Sequence, residues 1–382
     1  MRPRHAIAPR RTASRLIVGL VAAASLVLGG TIAVTEVALA KGQVPVGRTR
    51  ADRAVSGDHA TGRATRVAGS VYTIGKAAQA AARSYWTPAR MTAATGAGAG
   101  ERAESARSTS ASTRAPAVER QAAVMGASAV QSSPRDLPDS AAFSGVPTVG
   151  ALFYTKGSSN HFCTASVIHS TIGSLILTAA HCVYSSSGYS RNLEFIPGYD
   201  GTSPPYGVWP VTQITVAQDW RDGQNPDFDV AFLNVVPPPN SVGPIEQVTG
   251  ALQIAFALPD DQHITVIGYN NTDQKPIICS TKSFKFRTDQ MEFYCRGFWY
   301  GTSGGPWILN YNSGNGTGTV YGVIGGYEAG GYVSWASYSA AFEKPAQELM
   351  AQAEATAGSS GSHATKASAG ASSATQVTAA VG

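Results

Sequence analysis

The chain has 382 residues, with 29 Lys and Arg against 24 Asp and Glu, and therefore a formal net charge of +5. Residues 1–145 hold 19 basic and 8 acidic side chains, whereas residues 146–355 hold 9 and 16. The part with globular composition is thus acidic, which argues against a nucleic-acid-binding protein. That part comprises about 200 residues, enough for one domain with a substantial core.

The first 40 residues predict a secretory signal peptide. Basic residues are concentrated in residues 2–15, residues 16–34 are apolar, and Ala38-Leu39-Ala40 offers a cleavage site with small residues. Two glycines and a threonine interrupt the apolar stretch, and a retained membrane anchor is the alternative. We therefore expect a secreted, extracellular protein without stable membrane association.

Residues 41–145 have low complexity and are rich in Ala, Arg, Ser, Thr and Gly. They show little periodicity, which predicts a mostly disordered segment with one short helix at residues 77–85. A propeptide that covers the acidic domain and is later removed, and a solvated linker, are the two interpretations.

The sequence pattern of residues 146–355 is typical of an all-β domain, with short apolar segments separated by Gly and Ser turns. The predicted strands of a first half are 149–154, 162–168, 175–178, 192–196, 208–216 and 230–235. Those of a second half are 264–269, 277–280, 291–294, 306–310, 320–326 and 332–335. Apolar residues at helical spacing predict a C-terminal helix at 340–355, and residues 356–382 are predicted to be a disordered tail.

Two short strings carry the chemistry of the domain. Leu177-Thr178-Ala179-Ala180-His181-Cys182 places a histidine beside a cysteine, and Gly301-Thr302-Ser303-Gly304-Gly305-Pro306 places a serine within a glycine turn. A serine hydroxyl is a weak nucleophile that needs a neighbouring base, and the imidazole needs a buried carboxylate to fix its tautomer. His181 and Ser303 are therefore the predicted base and nucleophile.

The carboxylate is expected in Asn225-Pro226-Asp227-Phe228-Asp229. Asp229 leads directly into the apolar run 230–235, so its side chain can lie at the edge of a core. Asp227 is the alternative, two residues nearer the loop. We favour Asp229, which gives the chain order His, Asp, Ser.

The strings Thr178-Ala179-Ala180-His181-Cys182, Asp229-Val230-Ala231-Phe232 and Ser303-Gly304-Gly305-Pro306 resemble the chymotrypsin-like (trypsin-like) serine endopeptidases. Within that superfamily the chain is similar to the secreted bacterial branch related to the glutamyl endopeptidases. The resemblance spans about residues 146–345 and implies two packed six-stranded antiparallel β-barrels with a C-terminal helix. It also favours a propeptide, since inhibitory or folding pro-segments are common in this family.

By the same resemblance, the N–H groups of Gly301 and Ser303 form the oxyanion hole. A monomeric enzyme that cleaves protein or peptide substrates without a cofactor is implied. The family also pairs the cysteines equivalent to Cys163 and Cys182, which leaves Cys279 with Cys295, although four cysteines alone permit three connectivities. No metal site is predicted, because no two cysteines are closely spaced and His181 is already used.

The sequence also departs from the family. Trypsin-like zymogens carry Asp before the nucleophile, where this chain has Thr302, and Gly325 replaces a serine at the start of the substrate-binding strand. In the predicted substrate pocket, Gly297 stands where trypsin carries an acid. Ile324 stands where the glutamyl endopeptidases carry a histidine, and Tyr327 is expected at the pocket entrance. Neither a Lys/Arg nor a Glu preference is supported, and we predict a small or apolar one.

Two other functions fit part of the pattern. Gly301-Thr302-Ser303-Gly304-Gly305 also matches the Gly-x-Ser-x-Gly turn of lipases and esterases, but their acid and histidine follow the serine. Here the only later histidine is His363, in the polar tail. The second alternative is a catalytically silent, secreted, protease-like binding protein, which predicts a damaged triad or oxyanion turn.

Overall fold

The computed structural model describes residues 69–97, 134–239, 241, 243–271 and 274–369, with side chains as far as residue 357. The predicted signal peptide, residues 41–68 and 98–133 of the predicted pro-region, and residues 370–382 of the predicted tail lie outside the described residues. Among the described residues, no helix is long and apolar enough to cross a membrane.

The first described segment, residues 69–97, is folded. Its elements are β1 (Gly69–Thr73), α1 (Lys76–Tyr85), α2 (Pro88–Thr92) and β2 (Thr95–Gly96). Alanine and long straight side chains favour α1, and at α2 the Thr87 hydroxyl caps the helix by accepting from the Arg90 N–H ahead of Pro88. The short helix predicted at 77–85 is therefore present.

For these residues the expectation of little regular structure was otherwise wrong. Trp86, Met91 and Ala94 are buried in a hydrophobic cluster together with residues of the β-domain. β1 is held by backbone pairing over five residues, which requires no apolar pattern in its sequence. The segment gains its order from the surface on which it packs, and so its own composition gave little sign of it.

Six antiparallel strands form the first barrel, and all six correspond to predicted ones. Before them comes the short strand β3 (Ala141–Ala142). The barrel strands are β4 (Val149–Lys156), β5 (Ser159–Val167), β6 (Leu175–Thr178), β9 (Arg191–Pro197), β10 (Trp209–Ala217) and β11 (Ala231–Val235), with the hairpin β7 (Tyr184–Ser185) and β8 (Gly188–Tyr189) and helix α3 (Gln218–Gly223) between them. The order β9-β4-β5-β6-β11-β10 closes through pairing of β10 with β9, and β1 adds to β10.

The second sheet also contains six antiparallel strands, after helix α4 (Ile245–Thr249) and strand β12 (Gln253–Ile254). They are β13 (His263–Tyr269), β14 (Pro276–Arg287), β15 (Gln290–Tyr294), β16 (Pro306–Asn312), β17 (Thr317–Val323) and β18 (Ala336–Ala340), in the order β17-β16-β13-β14-β15-β18. β3 pairs with β14. Hydrogen bonds from Val323 N–H to Ser339 Oγ and from Gly325 N–H to the Tyr338 carbonyl bring its outer strands together. The predicted two-barrel, all-β fold is confirmed.

Two elements near the C-terminus have boundaries that differ from prediction. The last strand is Ala336–Ala340 and not 332–335, because Val333 bridges back to Ala336 around a turn at residues 334–335. The C-terminal helix, α5 (Lys344–Ala369), continues past residue 355 into the predicted disordered tail. It is anchored on the first barrel, where Asn234 Nδ2 donates to the Ala353 carbonyl.

Candidate active site

His181 lies in a 3₁₀ turn, Ala180–Cys182, directly after β6. A disulfide joins Cys182 to Cys163 on β5 and fixes this turn to the neighbouring strand. Both sulfur-bearing side chains are fully buried, whereas the His181 side chain retains 12% exposure. The disulfide therefore restrains the turn covalently, while the imidazole beside it stays partly exposed.

Asp229 is fully buried and accepts three hydrogen bonds, each of 2.8 Å. One oxygen accepts from the His181 backbone N–H, and the other faces His181 Nδ1 and accepts from the Gly326 N–H. A carboxylate held in this way orients the imidazole and leaves Nε2 directed away from it. The residue precedes β11, as the sequence pattern indicated.

The alternative carboxylate, Asp227, is bonded elsewhere. Its Oδ1 accepts from Gln290 Nε2 at 2.8 Å, and Gln290 Oε1 accepts from the Tyr327 N–H at 2.9 Å. Asp227 thus helps to join the loop before β11 to the turn after β17. It is Asp229, and not Asp227, that the structure brings to His181.

Ser303 is 8% exposed, in a turn whose backbone is tied to both barrels. The Thr164 N–H, from β5 of the first barrel, donates to the Ser303 carbonyl at 2.7 Å, and the Thr164 hydroxyl donates to the Gly301 carbonyl at 3.0 Å. On the other side, Gly304 N–H donates to the Ile324 carbonyl at 2.7 Å. Gly301 has a φ of +95°, a conformation that favours glycine in the turn assigned to the oxyanion hole.

Thr164 and Gly326 contribute to this arrangement, although the sequence analysis did not single them out. Thr164 could have been suspected from its position beside the cysteine that pairs with Cys182. Gly326 supplies through its backbone one of the bonds to Asp229. Gly325 replaces the serine that the family carries at this position. In this chain the N–H of the next residue, Gly326, donates a hydrogen bond to the Asp229 carboxylate.

Thr302, at the position of the zymogen aspartate, is 3% exposed. Its hydroxyl donates to the Trp299 carbonyl at 2.7 Å, and the side chain packs against the backbone of Gly268 on β13. The side chain thus closes its own turn with a neutral hydrogen bond. It offers no carboxylate to a newly formed N-terminal ammonium.

The predicted pocket residues occupy different environments. Ile324 is buried, and its backbone bonds the serine turn through the Gly304 N–H and the Gly305 carbonyl. Gly325 approaches Asp229 so closely that a Cβ there would lie 3.0 Å from the Asp229 carbonyl oxygen. At Gly297, which has a φ of +100°, the space that a Cβ would need is filled by the Ser140 hydroxyl.

Tyr327 belongs to an aromatic cluster with Phe286 and Tyr338, whose ring centroids lie 5.1 Å from that of Tyr327 in each case. The guanidinium of Arg287 lies 4.3 Å from the Tyr327 ring centroid. Burial, reinforced by Glu292, raises the pKa of Tyr338 to about 12, so this phenol remains neutral at any physiological pH. The cluster thus packs against the residue that follows Gly326.

The second disulfide, Cys279–Cys295, lies in the second sheet, so the pairing implied by the resemblance is present in full. Donor atoms of Cys163, Cys182 and His181 lie within 4.8 Å of one another, the spacing of a metal site. The two sulfurs are bonded to each other, however, and a metal requires thiolates. This cluster is a disulfide beside a histidine.

Comparison with known proteins identifies the family. The chain is 35% identical over 71 residues to a glutamyl endopeptidase of Bacillus licheniformis, covering 18% of this chain and 22% of that protein. It is 29% identical over 92 residues to an extracellular metalloprotease of Bacillus subtilis, covering 24% and 28%. The matched regions therefore span less than a third of either relative.

Among solved structures, the protease Anisep from Arthrobacter nicotinovorans is similar in fold, with a TM-score of 0.51 and 23% identity, covering 56% of this chain and 98% of Anisep. The family model described as Trypsin matches residues 139–344, more than half of the chain. This range contains His181, Asp229, Ser303 and both disulfides. The chain therefore belongs to the trypsin family, as its motifs predicted.

Proposed function

We propose that this protein is a serine endopeptidase that hydrolyses peptide bonds through His181, Asp229 and Ser303. The observation that carries the proposal is the 2.8 Å contact between His181 Nδ1 and the fully buried Asp229. Activation of a hydroxyl nucleophile requires a base that is oriented by a buried carboxylate. The fold provides such a base and also fixes a serine in a glycine turn.

In the proposed mechanism, Ser303 Oγ attacks the scissile carbonyl while His181 Nε2 removes its proton. Asp229 stabilises the resulting imidazolium, and the N–H groups of Gly301 and Ser303 stabilise the oxyanion. His181 then protonates the leaving amine, which departs and leaves an acyl-enzyme on Ser303. Water hydrolyses the ester in the reverse sequence of proton transfers, and no metal or cofactor takes part.

The proposed substrates are proteins or peptides with a small or apolar residue before the scissile bond. Two features support this preference. Gly297 brings no acid to the pocket position and is packed against Ser140, and Ile324 places an apolar side chain where the glutamyl endopeptidases place a histidine. Neither arrangement provides a charge that would pair with Lys, Arg or Glu.

We further propose that the protein is exported by residues 1–40 and matured by processing within residues 41–145. Two disulfides favour an oxidising compartment. The basic pro-region complements the acidic domain in charge. A monomeric enzyme accords with this proposal, since the triad is supplied by one chain.

The proposed nucleophile is tested on the purified, mature protein, from which removal of residues 41 to about 140 has been confirmed, by reacting it with a fluorophosphonate probe and locating the label by peptide mass spectrometry. Stoichiometric label on Ser303, lost in His181→Ala but kept in His169→Ala, is the expected result. His169 is a suitable control because it is an exposed histidine of the same barrel, bonded to Glu246. Absence of label from a correctly folded protein would instead favour the catalytically silent binding protein.

A further inference from the structure

Residues Thr95–Ala97 of the N-terminal segment pair with the edge of the first barrel beside the serine turn. β2 runs parallel to β5, with Thr95 opposite His161 and Gly96 opposite Phe162. The Ala97 N–H donates to the Phe162 carbonyl at 2.9 Å. The Gly96 N–H donates to Asn271 Oδ1 at 2.5 Å. Two consecutive amides of the segment are thus satisfied by acceptors of the protease domain.

Gly96 also packs directly on the peptide bond between Tyr300 and Gly301. A Cβ on residue 96 would overlap both the Gly301 nitrogen and the Tyr300 carbonyl carbon. Because its φ lies outside the left-handed region, the backbone conformation itself would accept alanine. The need for glycine here is therefore one of space: this position must be small for the strand to reach the oxyanion turn.

The residues before the strand anchor it firmly. Gln274 Nε2 donates to the carbonyls of Met91 at 2.8 Å and Ala94 at 3.0 Å, and so binds the end of α2. Trp86 Nε1 donates to the Asn192 carbonyl at 2.6 Å, and the Tyr85 hydroxyl to Asn160 Oδ1 at 2.7 Å. These bonds accompany buried apolar contacts, so the attachment is not merely an attraction between a basic segment and an acidic domain.

We propose that Thr95–Ala97 is a tethered inhibitor strand, bound at a peptide-binding edge formed by the Phe162 carbonyl and Asn271. The ligand class of this edge is an extended polypeptide with glycine opposite Phe162. The inference rests on the proposed function, in which the Gly301 N–H receives the scissile carbonyl. A polypeptide whose scissile carbonyl binds the Gly301 N–H must cross the Tyr300–Gly301 peptide bond and reach the edge of β5. There it can pair as an added strand, which provides hydrogen-bond partners for its backbone N–H and carbonyl groups. The segment occupies this path, so it competes with substrate while it remains docked.

The test uses the uncut full-length chain, with its integrity checked by intact mass. Gly96→Ala introduces the overlap with the Gly301 peptide, and Asn271→Ala removes one acceptor without adding bulk. Gly75→Ala is the matched control, because it lies in the same segment with nothing within 4 Å of its added Cβ and a φ of −66°. Hydrogen exchange of the 95–97 amides reports docking, and the rate of fluorophosphonate labelling of Ser303 reports access to the site.

We expect Gly96→Ala to lose amide protection at residues 96 and 97 and to be labelled at least about tenfold faster than the parent, from the cost of overpacking. Asn271→Ala should be labelled roughly two- to tenfold faster, from the loss of one hydrogen bond. Gly75→Ala should match the parent in both measurements.

If the amides of residues 96 and 97 lost protection in Gly96→Ala while Ser303 was labelled at the same measurable rate as in the parent, the inhibitory role would be overturned. Full protection of these amides in Gly96→Ala would also overturn it. Absence of labelling in every variant, although residues 96 and 97 lose protection in Gly96→Ala, would overturn the proposed nucleophile and, with it, the inhibitory role. That failure is distinguishable from the first, because in the first case Ser303 still reacts.

Discussion

The backbone N–H of Gly326 donates to the Asp229 carboxylate at 2.8 Å, across the boundary between the two barrels. Asp229 belongs to the loop before β11 of the first barrel, and Gly326 follows β17 of the second. The carboxylate that orients His181 is thus itself fixed by the other barrel. The relative placement of the two halves therefore sets the geometry of the proposed base.

Replacing Asp229 with Asn should lower kcat by about 10⁴-fold, because the Asn NH2 group replaces an accepting oxygen and no longer holds the imidazole in the required tautomer. A loss of about 1–3 kcal/mol in the free energy of unfolding should accompany it, because a buried N–H group loses its acceptor. Asp227→Asn is the control, because Asp227 binds Gln290 and not His181. Steady-state hydrolysis of a small peptide ester measures both. Equal losses in the two variants would contradict the assignment of Asp229.

Gly326→Ala should both destabilise the protein and slow catalysis. Gly326 has a φ of +75°, and a Cβ there would overlap Gln290 Oε1. We expect a loss of about 1–3 kcal/mol in the free energy of unfolding. A fall of about tenfold or more in kcat should accompany it, as the N–H moves away from Asp229.

Gly223→Ala is the control for Gly326, because its Cβ would meet nothing within 4 Å and its φ is not positive. Denaturant unfolding and ester hydrolysis should leave that variant unchanged or slightly more stable. If Gly326→Ala lost stability but kept the parental kcat, the bond to Asp229 would be structural only.

The sequence points to the candidate site residues where chemistry restricts residue type, and it does not reveal contacts made by the backbone. His181, Ser303 and Asp229 stand in strings whose composition points to their proposed roles, and short apolar runs separated by Gly and Ser turns mark the six strands of the first barrel. Gly326 acts through an N–H that every residue but proline possesses, so no pattern distinguishes it. The strand Ala336–Ala340 was displaced in the prediction because its sequence, Ala-Ser-Tyr-Ser-Ala, contains few large apolar residues.

The two disulfides provide a comparison between stability and catalysis. Their sequence separations are 19 and 16 residues, so each should contribute about 3 kcal/mol to the free energy of unfolding on the chain-entropy model. Only Cys163–Cys182 restrains the turn that holds His181. We therefore expect the double Ala variants at the two bridges to unfold at similar denaturant concentrations, while only the Cys163/Cys182 variant loses kcat.

That comparison is made on protein that remains folded at the assay temperature, with the fraction folded measured by circular dichroism. Equal kcat values for the two variants would show that the 3₁₀ turn holds His181 without the bridge. A kcat loss confined to the Cys279/Cys295 variant would contradict the proposed role of the first disulfide.

Glu194 on β9 is a buried acid that is not part of the proposed triad. It is fully buried, with no hydrogen-bond partner for either carboxyl oxygen among the described residues. Helix α1 packs against β9, and Trp86, which follows it, contacts Phe153, the cross-strand neighbour of Glu194. Burial raises the pKa of Glu194 from 4.5 to about 8, and the nearby Arg83 of α1 lowers it only in part. The carboxyl is therefore protonated in the folded protein at neutral pH.

The pKa of Glu194 is higher in the folded protein than in the unfolded chain. The stabilisation that results is fully present below pH 4.5 and is lost as the pH rises to about 8. Over that interval the free energy of unfolding should fall by about 1.4 kcal/mol per pH unit from this group alone. Glu194→Gln has no proton to lose, so its stability should depend less on pH and exceed that of the parent near pH 8. Glu343→Gln, at an exposed carboxyl, should retain the parental slope. Urea unfolding of the three proteins at pH 5, 6.5 and 8 measures the slopes, and parallel lines for Glu194→Gln and the parent would show that Glu194 does not titrate in this range.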